Sequence, residues 1–171
     1  MKSPIMENRP KAIIKLETQD YVVEAIGYIA LAALWIFAFY SYNNSPDIVP
    51  THFNYAGEAD GFGDRQTVFI TPVIATFMFF IMTVINRYPE MFNFPVAITP
   101  ENAQRQYVLA IRMIRLLKIG VILVFLIVDL YTFASATGQE GEMGAFLLPA
   151  ISVVMFLPLI FYLVKALRTK R

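Results

Sequence analysis

Few residues in this 171-residue chain could do chemistry, and their types are narrow. There is no cysteine, which excludes disulfides, thiol catalysis, iron–sulfur clusters and thiolate zinc sites. His52 is the sole histidine, so neither a two-histidine haem nor a His-rich zinc site can come from one protomer. It stands with Asn54, Glu58, Asp60 and Asp64 in the stretch 43–67, NNSPDIVPTHFNYAGEADGFGDRQT. Oxygen-rich loops suit hard cations such as calcium. The spacing is not that of an EF-hand, however, and zinc would want more nitrogen or sulfur. Two other readings of these five residues stand beside a cation site. His52 and Asn54 can satisfy loop backbone groups while the acids are solvated, or the anionic, aromatic rim can recognise a peptide, toxin or other partner. No metal and no cofactor is expected. No serine sits in a nucleophile-elbow setting, and a hydrolase built on His52 with Asp60 or Asp64 ranks last, so no catalytic residue is expected.

Asp129 is a second candidate, a lone acid inside an apolar run. A carboxylate at membrane depth costs several kcal/mol unless it is paired, hydrated or protonated. It reads either as a proton relay or counter-ion, or as a structural acid, with Tyr131, Thr132 and His52 as candidate neighbours. Arg112, Arg115 and Lys118 form the third group. At 100° per residue they share one helix face with Glu101, Gln104 and Arg105, opposite Leu109, Ala110, Met113, Ile114, Leu116 and Leu117. That face reads either as a solvated, snorkelling basic surface or as a site for anionic lipid headgroups.

The elements that position these groups follow from composition. Apolar residues make up 57% of the chain and charged ones 16%, against about a quarter charged in a soluble domain. Mean hydropathy is +0.56. Such a chain has too few charges to cover a water-facing surface, and it is too apolar to be disordered. A net charge of +1 gives no reason to expect nucleic acid. Four apolar runs approach the roughly 20 residues of a spanning helix: 21–42, 68–86, 119–136 and 145–167. The first is too long, and lacks the small-residue cleavage pattern, for a signal peptide.

The expected organisation is an all-α integral membrane fold with four transmembrane helices. It comprises an N-terminal segment (1–20), a first span (21–42), a structured outer loop (43–67) and a second span (68–86). An inner loop with a helix start (87–106), a third span (107–136), a short outer loop (137–144), a fourth span (145–167) and a tail (168–171) complete it. Lys2, Arg9, Lys11 and Lys15 precede the first span, and Arg87, Arg105, Arg112, Arg115 and Lys118 lie between the second and third. Lys165, Arg168, Lys170 and Arg171 follow the fourth. Only Arg65 falls on the other side, which carries Asp47, Glu58, Asp60, Asp64, Glu140 and Glu142. The positive-inside bias places both termini in the cytoplasm. Thr99-Pro100-Glu101 reads as a helix start. A helix from Pro100 to Ala136 would be roughly 55 Å long, so its first turns project inward or lie along the interface. Pro158, within the fourth span, predicts a kink.

The outer loop is dense in turn chemistry. Pro46 and Pro50 stiffen it, Asn54 to Gly57 can close a turn, and Asp60-Gly61 and Gly63-Asp64 tolerate positive φ. Phe53, Tyr55 and Phe62 read as apolar anchors. The series Pro50-Thr51-His52-Phe53-Asn54, then Gly57 and Asp60-Gly61, resembles the P-x-H-F-N-x-x-G-x-x-D-G signature of domain of unknown function 1648. Residues 92–107, FNFPVAITPENAQRQY, are similar to a segment of compact members of the same family. The resemblance implies a bacterial inner-membrane protein related to the N-terminal part of SdpI-type immunity proteins, with no established catalysis. The expected function is therefore non-enzymatic, that of an immunity, sensor or accessory subunit recognising an extracytoplasmic ligand or partner. The alternative is a small dimeric proton-coupled transporter using Asp129. Expected partners are the lipid bilayer, a membrane or secreted protein, and either further copies of the chain or a larger complex.

Overall fold

The computed structural model describes residues 9–139 and 144–169. Lys2, Glu140, Glu142, Lys170 and Arg171, which entered the charge partition, lie outside the described residues. Helix α1 spans Thr18–Asn44, strands β1 and β2 span Ile48–Phe53 and Ala59–Asp64, and a 3-10 turn at Arg65–Phe69 leads into α2, Ile70–Ile85. A second 3-10 turn at Pro89–Met91 precedes α3, Ala103–Ala136, and α4, Gly144–Arg168. The stretch read as an outer loop is thus a two-stranded antiparallel hairpin. Sequence reasoning missed its strands because β1 alternates imperfectly and β2, ADGFGD, has almost no β-branched or aromatic content.

Three helical stretches, Thr18–Asn44, Arg65–Ile85 and Gly144–Arg168, are long and apolar enough to cross a membrane. Their outward faces carry Ile29, Ile36, Phe77, Val153 and Leu157, all more than 60% exposed. Apolar surface of this extent fits a lipid environment rather than water.

Helix ends follow local chemistry. Helix α1 begins three residues before the expected span, where the Asp20 carboxylate accepts the Glu17 backbone N–H at 2.9 Å. Helix α3 begins at Ala103, three residues later than expected. There the Asn102 side chain accepts the Thr99 N–H and donates to Ala97 O, both at 3.0 Å, shaping the entry turn. Beside it, the Thr99 hydroxyl hydrogen-bonds Glu101 and holds that exposed carboxyl below its usual range. Helix α4 continues through both Pro149 and Pro158.

The packing fixes helix directions. Helices α1 and α3 run parallel: Asp20 meets Arg112, Glu24 meets Lys118, and Phe37 meets Phe133. Helix α2 runs opposite to both, with Thr71 against Asp129 and Thr83 against Lys118. Leu34, Ala75, Phe79 and Ile122 form a core midway along these three helices. Helix α4 runs antiparallel to α3, and Ala110, Tyr162 and Ala166 form a second core, with Phe92 and Phe94 packed on it. At that end the buried Gln106 amide donates to Ala166 O and Thr169 O, both at 3.1 Å. The Arg9 guanidinium donates to Glu90 O at 2.8 Å and lies over the Phe94 ring. The hairpin closes the opposite end of the bundle.

Candidate functional site

The hairpin is built from its turn outward. Asn54 Oδ1 accepts the backbone N–H groups of Ala56 (2.9 Å) and Glu58 (3.0 Å), and its amide donates to the Glu58 carboxylate at 2.9 Å. This side chain stands in for backbone partners that the reversing chain has lost. Gly57 takes φ +83, the left-handed region that disfavours a side chain. A Cβ there would also lie 2.5 Å from the Gly144 Cα. Gly61 and Gly63 do not use the positive φ that they tolerate: among the described residues only Gly57 and Gly138 adopt it. Those two glycines make room across the strands instead. A Cβ on Gly61 would meet the His52 Cβ at 2.9 Å, and one on Gly63 would meet the Thr51 Cγ2 at 2.9 Å. Irregular pairing on both sides of His52 accompanies that close approach.

The hairpin is fastened from below by Tyr131 of α3. Its hydroxyl donates to Gly57 O, and its ring packs on Phe53 with centroids 4.8 Å apart. Phe53 is therefore an anchor, whereas Tyr55 (92% exposed) and Phe62 (63% exposed) are not. Between the hairpin and the ends of α3 and α4 lies a cleft of about 740 Å³, lined among others by Glu58, Phe62, Tyr131, Ser135 and Phe146.

The five loop residues separate into distinct roles. His52 Nδ1 meets the Asp60 carboxylate across the strands, and both side chains remain open to solvent. Asn54 and Glu58 are spent on the turn. Asp64 is apart from them and accepts the Gln66 N–H at 2.8 Å, capping the 3-10 turn. Among the described residues no group of three or more His, Asp or Glu is placed to hold a metal ion.

Asp129 is buried, 8% exposed, two residues before the hairpin's anchor Tyr131 on the same helix. Its partner is the Thr71 hydroxyl of α2, 2.8 Å from each carboxylate oxygen. Of the neighbours expected from sequence, Thr132 lines a small cavity together with Asp129 and Thr71, while Tyr131 turns to Gly57 and His52 to Asp60. Sequence reading could not single out Thr71, because nothing local marks it among the many threonines.

Arg112, Arg115 and Lys118 face α1 rather than open water. Arg112 bonds Asp20 at 2.8 Å and Glu17 at 3.0 Å, Arg115 lies 3.2 Å from Asp20 and 3.3 Å from Glu24, and Lys118 pairs with Glu24. Lys118 is 1% exposed, bonds the Thr83 hydroxyl at 2.9 Å and sits over the Phe79 ring. The solvated basic face is thus an ion-pair seam of three cations and three carboxylates. The signal in the sequence was the matching spacing, acids at 17, 20 and 24 and bases at 112, 115 and 118, each recurring on one helix face.

The second half of α1, the hairpin and the start of α2 form one continuous unit, joined where the Trp35 indole donates to the Thr76 hydroxyl at 3.0 Å. Residues 29–76 match the family model of a domain of unknown function, DUF1648. The matched segment thus holds the hairpin, His52, Asp60 and Thr71, while Tyr131 and Asp129 are supplied by α3. The chain is also 40% identical over 78 residues to an uncharacterized protein of Archaeoglobus fulgidus. That similarity covers 41% of this chain and 43% of the relative, less than half the relative's length. No solved structure matches the chain.

Proposed function

We propose that this chain is a non-enzymatic, four-span protein of the cytoplasmic membrane whose fixed hairpin recognises an extracytoplasmic ligand or partner, as an immunity, sensor or accessory subunit would. Helix α3 counts as the fourth span because it runs parallel to α1 through the same depth, and residues 119–136 carry Asp129 as their one charge. The basic residues favour inward termini, which turns the hairpin outward.

One observation carries the recognition reading. The hairpin is held rigidly from beneath by Tyr131 and Phe53, yet it leaves Tyr55, Phe62 and the His52–Asp60 pair exposed. Aromatic rings held in place beside a polar pair are the usual anchors of protein recognition, since little entropy is lost when they are covered. A photo-reactive residue in place of Tyr55 tests this in native membranes. The expected result is one dominant crosslinked product, lost in the double variant His52→Ala, Asp60→Asn while the single tryptophan still reports a folded protein. Crosslinking that ignores the double variant would refute recognition through this pair.

A further inference from the structure

The small cavity beneath the hairpin is not used by the recognition reading and stands independently of it. Its volume is about 140 Å³, and its lining includes Asp129 and four hydroxyl-bearing residues, Thr51, Thr67, Thr71 and Thr132. The geometry points to a binding site for a monovalent alkali cation, with Asp129 as the charged ligand and the threonine hydroxyls as neutral ones.

Charge balance is the first reason. Among the described residues Asp129 makes no ion pair, and one hydroxyl, that of Thr71, serves both of its oxygens. A carboxylate offers about four acceptor positions, so most of its bonding capacity is unmet in a site where desolvation is costly. The proton direction on the hydroxyls is the second. Thr71 donates to Asp129, and Thr67 donates to Asp64 O at 2.7 Å. Both hydroxyl oxygens therefore retain lone pairs for a cation. Hard oxygen ligands select hard cations. A single carboxylate neutralises a single positive charge, whereas a divalent ion would leave a net charge in an apolar surround and ordinarily recruits several carboxylates. The volume suffices for a cation with one or two waters, each needing about 30 Å³. Pro50 and Thr51 of β1 are among its lining residues, so the hairpin forms part of its wall.

The test uses the purified full chain in nanodiscs at pH 8, with thermal unfolding followed by Trp35 fluorescence. Sodium chloride is titrated against choline chloride at constant ionic strength. The wild type should show a saturable rise in midpoint with sodium. Asp129→Asn should abolish the sodium dependence and, in choline chloride, unfold no earlier than the wild type, since the uncompensated charge is gone. Thr132→Val, a near-isosteric change, should shift the sodium titration at least about tenfold to higher concentration. A wild-type midpoint indifferent to sodium would mean that Asp129 is a protonated structural acid, and would overturn the site. An undiminished response in Asp129→Asn would do the same. Should Asp129→Asn fail to fold, Thr132→Val decides: an unshifted titration also overturns it.

Discussion

At the scale of single residues, the hairpin shows why a family-like motif can be mostly structural. Asn54 and Gly57 shape the reversal, Gly61 clears space for His52, and Phe53 meets Tyr131. His52 and Asp60 combine mutual contact across the strands with open exposure, whereas Asn54, Glu58 and Asp64 each bond the local turn that they shape. Tyr131→Phe isolates the anchor, because it deletes one hydroxyl and leaves the ring in place. We expect a loss of about 1–2 kcal/mol, seen as a lower unfolding midpoint, together with faster proteolysis between Asn54 and Glu58. A hairpin as resistant as the wild type would show that Tyr131 does not secure it.

At the scale of elements, the α1–α3 seam is the principal polar contact inside an otherwise apolar bundle. Three carboxylates and three cations balance, and the pairing advances along both helices in the same direction. Apolar packing tolerates small rotations of one helix about its axis, but a charge row does not, because a slipped register strands buried charges. The Glu24–Lys118 pair contains the most enclosed cation, Lys118 at 1% exposed. Lys118→Met or Glu24→Leu alone should destabilise by about 3–5 kcal/mol, since the one leaves Glu24 with only the longer contact to Arg115 and the other strands the buried Lys118. The double variant Glu24→Leu, Lys118→Met should recover most of that loss. A double-mutant cycle of unfolding midpoints measures the coupling, and additive losses would show that the two charges act independently.

At the scale of the whole molecule, the proposed orientation makes the hairpin end and the termini end chemically different compartments. The natural absence of cysteine gives a clean background for labelling. Glu58→Cys should react with an impermeant maleimide on intact cells, whereas Arg87→Cys should react only after permeabilisation. The reverse pattern would invert the topology and remove the hairpin from the outer face. Much of this architecture was legible along the chain. The apolar runs lie within the observed helices to within a few residues at most ends, and the Asn54–Gly57 turn is where local chemistry put it. The strands, the cross-strand purpose of Gly61 and Gly63, and the fate of the basic face were not.

The division has a physical cause. Helix length and turn position depend on contiguous residues: a run of apolar side chains selects lipid, and an Asn-x-x-Gly stretch reverses the backbone through its own hydrogen bonds. The sequence by itself therefore determined the helical, membrane-type character of the chain and the reversal between its first two long helices. Partner choice depends on how each helix is rotated and how far it slides against its neighbours, which no local pattern specifies. Asp129 finds Thr71 58 positions away, and Arg112 finds Asp20 92 positions away. Only the tertiary structure could decide that the basic face would be neutralised by α1, that Tyr131 would hold the hairpin, and that the buried acid would look into a threonine-lined cavity.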